Sequence, residues 1–281
     1  MRVISFDSVV TTVAGLCGQA ACILPDDVLA ALHTSRQKES GELALDFFDQ
    51  YIRNAELAKN ERLPLCQDTG FAVFFAEMGA DVKLDRGTLY EAVNEGVRQG
   101  YLKFFLRKSI VADPLFDRKN TRDNTPCILH LKQVPGEQLK LTLAPKGGGS
   151  ENMSALKMLK PSDGRQGVVD FVVDSVVKAG GNPCPPTVVG VGIGGTMEYA
   201  AFMAKKALLR KIGEPSADPR YADLEAEILQ KINASGVGSQ GLGGDITSLA
   251  VHIEYHPCHL ASLPVAVNLN CHAARHAEVI L

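Results

Sequence analysis

Apolar residues recur at helical spacing through the first sixty positions and cluster into short strand-like runs further on, separated by Gly, Pro and Asn. In residues 42–60, Leu43, Leu45, Phe47, Phe48, Ile52 and Leu57 fall near helical spacing and predict an amphipathic helix. Asp7 or Ser8 is placed to cap an earlier helix running to about Ala21, and Pro25-Asp26-Asp27 opens another with acids in its first turn. Residues 71–75 (Phe-Ala-Val-Phe-Phe) read as a buried strand. Further helices are predicted over 88–99, 150–159, 166–179, 197–212 and 224–234, and after Cys271. Strands are predicted over 187–191, 247–255 and 264–269. Residues 127–134 and 138–143 flank Pro135-Gly136-Glu137, which predicts a β-hairpin. No repeat, low-complexity tract or flexible linker divides the chain. The expected fold is α+β, with helices packed around mixed β-sheets in a single domain over 1–281. Its N-terminal part, to about residue 62, is helical.

Composition narrows the class. The chain has 281 residues, 46% hydrophobic and 22% charged, enough for a large core. A net charge of −3 supplies no basic field for nucleic acid. The start lacks the charged-then-apolar pattern of a secretory signal, and the apolar run 168–177 carries Asp170 and Asp174, so no membrane span is expected. Seven cysteines, an odd number, point to a reducing compartment, taken as the cytoplasm. No CxxC pair occurs, which argues against zinc ribbons and ferredoxin-type clusters.

Three glycine clusters, 147–149, 190–195 and 236–244, could each bring backbone N–H groups to an anion or simply allow tight packing. Gly190, Gly192 and Gly195 spell the dinucleotide fingerprint GxGxxG. The following helix runs into Glu214-Pro215 and then another helix, so no closed βαβ unit is expected. A tight strand-to-helix junction or an anion site fits better than NAD.

Three cysteines stand apart from the rest. Cys66, Cys184 and Cys271 sit in segments dense with turn-forming residues, and Cys184 lies between two prolines. Three loop thiols gathered by folding could hold a metal cluster with one metal position open, and a [4Fe-4S] cluster used for chemistry is the central hypothesis. Cys17, Cys22, Cys127 and Cys258 read as packing residues. The stretch 106–126 is rich in charge and reads as a solvated loop, from which Arg107 could offer a bidentate donor to a carboxylate. Among His252, His256, His259, His272 and His276, His259 is the best acid–base candidate because it lies in a turn before a strand.

Five separated motifs carry a resemblance. They are Cys66-Gln67-Asp68-Thr69-Gly70, the run from Leu106-Arg107-Lys108-Ser109 to Asp123-Asn124-Thr125-Pro126, Lys146 to Asn152, Asn182-Pro183-Cys184-Pro185-Pro186, and Asn270-Cys271-His272-Ala273-Ala274-Arg275. Over nearly its whole length the chain resembles the α subunit of the class I, iron–sulfur fumarate hydratases, which share a catalytic-domain family with L(+)-tartrate dehydratase. Ser150-Glu151-Asn152 resembles the fumarase branch.

The resemblance implies that 1–281 is an iron–sulfur hydro-lyase α-type catalytic domain. It implies cluster ligation by Cys66, Cys184 and Cys271, the fourth iron taking a small dicarboxylate substrate. It also implies substrate contacts from Gln67, Asp68, Arg107, Gly147, Gly148, Gly149 and His259, with Asp68 or His259 as proton donor. Single-chain relatives carry a further C-terminal domain. Because this chain ends at Leu281, a separate β subunit is expected to complete the site and supply the catalytic base, in an α–β hetero-oligomer. The expected reaction is reversible hydration of fumarate to (S)-malate, a step of the tricarboxylic acid cycle. The alternatives are L(+)-tartrate dehydration and, in a different class, a non-enzymatic redox sensor.

Overall fold

The computed structural model, which describes residues 1–281, has the expected α+β composition. In chain order its elements are β1 (Arg2–Ile4), α1 (Phe6–Cys22), α2 (Asp26–Lys38), α3 (Glu42–Glu61), β2 (Phe71–Gly79), β3 (Val82–Leu84), α4 (Leu89–Lys103), β4 (Ile128–Val134), β5 (Leu139–Lys146), the single helical turn α5 (Gly148–Glu151), β6 (Ala155–Leu159), α6 (Gly164–Ala179), β7 (Thr187–Gly194), α7 (Met197–Ala207), α8 (Pro219–Asn233), β8 (Ser248–His256), β9 (Leu263–Asn270) and β10 (Ala277–Ile280). The chain divides into two compact units. One comprises 1–25, 55–148 and 275–281, the other 26–54 and 149–274.

The first unit contains a four-stranded sheet in the order β10-β5-β2-β4. Its core joins α1 residues Val9, Val13, Leu16 and Ala20 to Val93, Val97 and Tyr101 of α4 and to Phe74, Leu141 and Leu143 of the sheet. Thr88 starts α4 with a reciprocal capping box: its hydroxyl accepts from Glu91 N at 3.2 Å while Glu91 accepts from Thr88 N at 2.8 Å. By composition the segment Phe6–Lys38 is apolar enough to cross a membrane. Its helix is interrupted at residues 23–25, and ten of the α1 residues are buried within the protein.

Two expectations fail in this unit. The predicted hairpin over 127–143 does not form, because β2 lies between β4 and β5, parallel to the first and antiparallel to the second. Residues 72–76 are all buried, so this most apolar segment takes the central position and leaves β4, with its exposed Lys132 and Gln133, at the edge. The bend at 136–138 instead bonds to 79–81, through Gly79 N to Gln138 O at 2.8 Å and Asp81 N to Gly136 O at 3.0 Å. The predicted helix after Cys271 is likewise absent. The last residues extend as β10 and pair antiparallel with β5. So short a segment gains little from helix formation, whereas an open sheet edge satisfies its backbone.

The second unit contains a four-stranded sheet in the order β6-β9-β7-β8. Residues 150–159 are not a helix as predicted. Only the turn α5 is helical, and Ala155–Leu159 forms β6, which pairs with the outer side of the buried strand β9. β7 is buried along its whole length and alternates large and absent side chains. Val189, Val191 and Ile193 share a core with α6 and α8. Gly190 and Gly192 receive α7: a Cβ at Gly192 would lie 2.0 Å from Ala200 O, and one at Gly190 2.1 Å from Ala204 O. These glycines therefore serve strand–helix packing inside the strand, and the dinucleotide reading falls away. The expectation that no βαβ unit closes is corrected too, since β8 returns parallel to β7 after α7 and α8.

Candidate functional site

In the first unit, the turn after Leu65 is held from both sides. Asp68 N donates to Cys66 Sγ at 3.4 Å, and the Cys66 thiol donates to Gln67 Oε1 at 3.2 Å. The Asp68 carboxylate accepts Gly70 N at 3.0 Å and Gly148 N at 2.8 Å. Buried side chains take the turn's carbonyls. Arg275 Nη2 donates to Asp68 O, Tyr101 OH donates to Thr69 O at 3.0 Å and Gly70 O at 2.9 Å, and Asn124 Nδ2 donates to Gly70 O at 3.2 Å. With its carbonyls drawn inward, the turn keeps Gln67 exposed and Cys66 and Asp68 half-buried. Thr69 Oγ1 donates to Arg107 O at 3.1 Å, which ties exposed Arg107 to the same turn.

The loop that carries Arg107 is more ordered than the solvated loop expected. Asp113 Oδ1 accepts Leu115 N at 2.8 Å and Phe116 N at 2.5 Å, and Asn124 Oδ1 accepts Ser109 N at 2.8 Å. Arg98 bonds Asp123 at 3.0 Å. Asp, Asn and Arg here close turns as well as face water.

In the second unit, Cys184 and Cys271 come together at one end of the sheet. β7 begins just after Cys184, β9 ends just before Cys271, and Val188 pairs with Asn270. Cys184 is exposed with φ +54, in a turn closed by Cys184 N donating to Gly181 O at 3.0 Å. Cys271 is half-buried. The two turns are joined by His272, whose backbone N donates to Cys184 O at 3.2 Å. A Cβ at Gly149 would lie 3.0 Å from Asn182 O, so this glycine sits against the Cys184 turn. His259 does not join them. It lies in the exposed connection between β8 and β9, at the opposite end of an eight-residue strand, a separation of roughly 25 Å at about 3.3 Å per residue.

The three glycine clusters take different roles. Cluster 236–244 leads into residues whose amides bind an internal anion: buried Glu39 accepts Asp245 N at 2.9 and 3.0 Å, Ile246 N at 3.1 Å and Gly41 N at 3.0 Å. Cluster 190–195 packs a helix. Cluster 147–149 is the one associated with the predicted site residues, and its Gly148 amide is already engaged by Asp68.

The other ionisable groups separate cleanly. Burial pushes Cys17 up to about 12 and Cys127 to about 11, and raises Cys22 as well, in keeping with packing roles. Cys258 departs from that expectation: it is exposed, its thiol donating to Ser262 O at 3.3 Å. Burial, with help from the Arg210 charge, lowers His252 to about 4.

No disulfide joins any of the cysteines, and no group of three or more His, Cys, Asp or Glu side chains is disposed to hold one metal ion. A zinc-like ion needs its donors about 2.0–2.3 Å from a single point. A polynuclear cluster spreads its thiolates over several irons and suits soft donors on separate turns. The chemistry of the donor set fits such a cluster. Cys184 and Cys271 lie on hydrogen-bonded turns, and Cys66 carries an N–H directed at its sulfur. Sequence reading missed Arg275 as the support beneath Asp68, although it closes a quoted motif. It also missed Tyr101 and Asn124, whose helical and loop positions carry no sign of where their polar ends point.

The model of the fumarate hydratase (Fumerase) family matches residues 10–280. The chain is 45% identical over 271 residues to a protein of Methanocaldococcus jannaschii provisionally named L(+)-tartrate dehydratase subunit alpha, covering 94% of each. It is 32% identical over 273 residues to the L(+)-tartrate dehydratase subunit alpha of Escherichia coli O157:H7, covering 96% of this chain and 89% of that one.

Proposed function

We propose, from the premise that the chain belongs to the fumarate hydratase (Fumerase) family and is a hydro-lyase, that it is the α subunit of an iron–sulfur enzyme hydrating fumarate to (S)-malate reversibly. The observation that carries this reading is the fixed Asp68 carboxylate, seated on the Gly70 and Gly148 amides two residues from the Cys66 thiol. Cys66, Cys184 and Cys271 would hold a [4Fe-4S] cluster. When bound, a cluster with one iron lacking a protein ligand supplies a Lewis acid for the substrate's hydroxyl and carboxylate.

The chain's own residues then have defined tasks. Arg107 offers a guanidinium to a substrate carboxylate, and Gln67 offers an amide from the same turn. The Gly147–Gly149 loop sets Asp68 through the Gly148 amide. In the dehydration direction Asp68 gives a proton to the departing hydroxyl as the C–O bond breaks, so that it leaves as water; in hydration it takes that proton back. The proton on carbon goes to a base assigned to a β subunit, in line with the subunit names of the relatives. For the hydroxyl proton Asp68 is preferred over His259, the other candidate donor, which lies at the opposite end of the second unit's sheet from Cys184 and Cys271. A reducing compartment, the cytoplasm, suits exposed thiols, and a place in the tricarboxylic acid cycle stands or falls with the substrate.

L(+)-tartrate is the second reading, favoured by the names of relatives 32–45% identical. Anaerobic co-purification of both subunits, followed by kcat/KM on fumarate, (S)-malate and L(+)-tartrate, decides between them. Fumarate and malate are expected to exceed tartrate; the reverse order assigns tartrate. Cluster without turnover on any of the three would favour a redox sensor.

A further inference from the structure

We infer that Tyr51 and His272 form a stacked positioning pair that fixes the Cys184 and Cys271 turns against each other and so sets how long those thiols retain a cluster. The inference rests on the cluster reading above, and its test separates the two.

Tyr51 projects from α3 and is 8% exposed. Its ring lies 4.0 Å from the His272 ring at an interplanar angle of 20°. Phe47 lies near-parallel to it at 6.3 Å and Phe48 meets it edge-on at 5.9 Å, so the phenol sits among aromatic neighbours. His272 Nδ1 lies 3.0 Å from Cys184 O. A carbonyl oxygen only accepts, so Nδ1 carries the proton. The His272 backbone N donates to the same oxygen at 3.2 Å, so one residue makes two bonds to the Cys184 carbonyl.

The next carbonyl along is also held. Gln240 N donates to Pro185 O at 2.9 Å, and Tyr51 OH donates to it at 3.4 Å while accepting from Gln240 Nε2 at 2.8 Å. Cys184 occupies the left-handed region at φ +54. That conformation is unfavourable for a non-glycine residue and persists only where the surroundings impose it. The Tyr51–His272–Gln240 group provides that constraint.

A thiolate turn free to move away releases its iron sooner, so loosening this pair is expected to shorten cluster lifetime without removing a ligand. The test uses the anaerobically purified complex of both subunits, with Tyr51→Phe, Tyr51→Leu and Phe47→Leu. Iron and sulfide are counted, and decay of the visible cluster absorption is followed in air. Tyr51→Phe, which keeps the stack but drops the hydroxyl, is expected to decay about threefold faster, and Tyr51→Leu at least about tenfold faster. Phe47→Leu, which removes a ring stacked beside Tyr51, decays faster than wild type but slower than Tyr51→Leu. Alkylation of half-buried Cys271 in the cluster-free protein, read by mass spectrometry, speeds up in Tyr51→Leu, while that of exposed Cys258 does not change. A wild-type protein lacking iron and sulfide defeats the cluster reading, and the alkylation arm still judges the pair. Wild-type decay in Tyr51→Phe, or unchanged Cys271 alkylation in a folded Tyr51→Leu, overturns the inference.

Discussion

Gly148 follows Asp68 by 80 residues, yet its amide donates to Asp68 Oδ2 at 2.8 Å. The contact locks a glycine loop onto the carboxylate beside Cys66. It gives Asp68 one orientation, which the proposed proton transfer would require.

Asp68→Asn keeps the size of the side chain and removes its proton-transfer capacity. Its kcat is expected to fall by about 10²–10⁴, with KM changed only a few-fold. Steady-state kinetics on the assembled enzyme check this, and a kcat within threefold of wild type would remove Asp68 from the chemistry.

Tyr101 is 1% exposed and gives its hydroxyl to Thr69 O and Gly70 O. Tyr101→Phe leaves the Thr69 carbonyl without this donor in a buried setting and is expected to cost about 1–3 kcal/mol. Gly70 O keeps the Asn124 bond. Unfolding free energies from urea titrations of Tyr101→Phe and of Tyr90→Phe, a residue 47% exposed, should differ by that amount, with Tyr90→Phe near wild type.

The glycines of β7 provide a contrast with a helical glycine. A Cβ at Gly192 would meet Ala200 O at 2.0 Å, a backbone atom that cannot turn aside, whereas one at Gly15 meets nothing within 4 Å. Gly192→Ala is expected to destabilise by more than about 3 kcal/mol, beyond ordinary overpacking. Gly15→Ala, in the middle of α1, should stabilise by about 0.5–1 kcal/mol. Thermal unfolding of the two variants tests whether these glycines exist for packing.

His252 is lowered from 6.5 to about 4 by burial and the Arg210 charge. As pH falls, the unfolded chain takes the proton first. The stability tied to neutral His252 is therefore complete above about pH 6.5, declines as pH drops from 6.5 towards 4, and levels off below. The whole effect is on the order of 3 kcal/mol. His252→Leu should flatten the difference between urea midpoints at pH 7 and pH 5; an unchanged difference would assign the acid sensitivity elsewhere.

The turn positions of the candidate cysteines were more legible in the sequence than the strand pairing. Cys66, Cys184 and Cys271 announced themselves by turn residues on either side, and all three stand in turns or at strand ends. The α3 stripe of Leu43, Phe47 and Phe48 marked its helix within a residue of the observed end. Pairing failed where local signals were honest but tertiary competition won. Pro135-Gly136 is a turn, yet the apolar residues 72–76 took the place between the strands it joins. Ser150–Leu159 has no strong strand pattern, and β6 exists because β9 offers an open edge. The polar supports, Arg275 under Asp68 and Tyr51 beside Cys184, were invisible because residue type and spacing do not say where a buried donor points.

The most direct measurement is iron and acid-labile sulfide per α chain in the anaerobically purified two-subunit complex, for wild type and for serine at each of Cys66, Cys184, Cys271 and Cys258. The account predicts about four of each in wild type and in Cys258→Ser. It predicts loss of iron together with hydro-lyase turnover in the other three. Full iron and full activity in Cys66→Ser, Cys184→Ser or Cys271→Ser would contradict it.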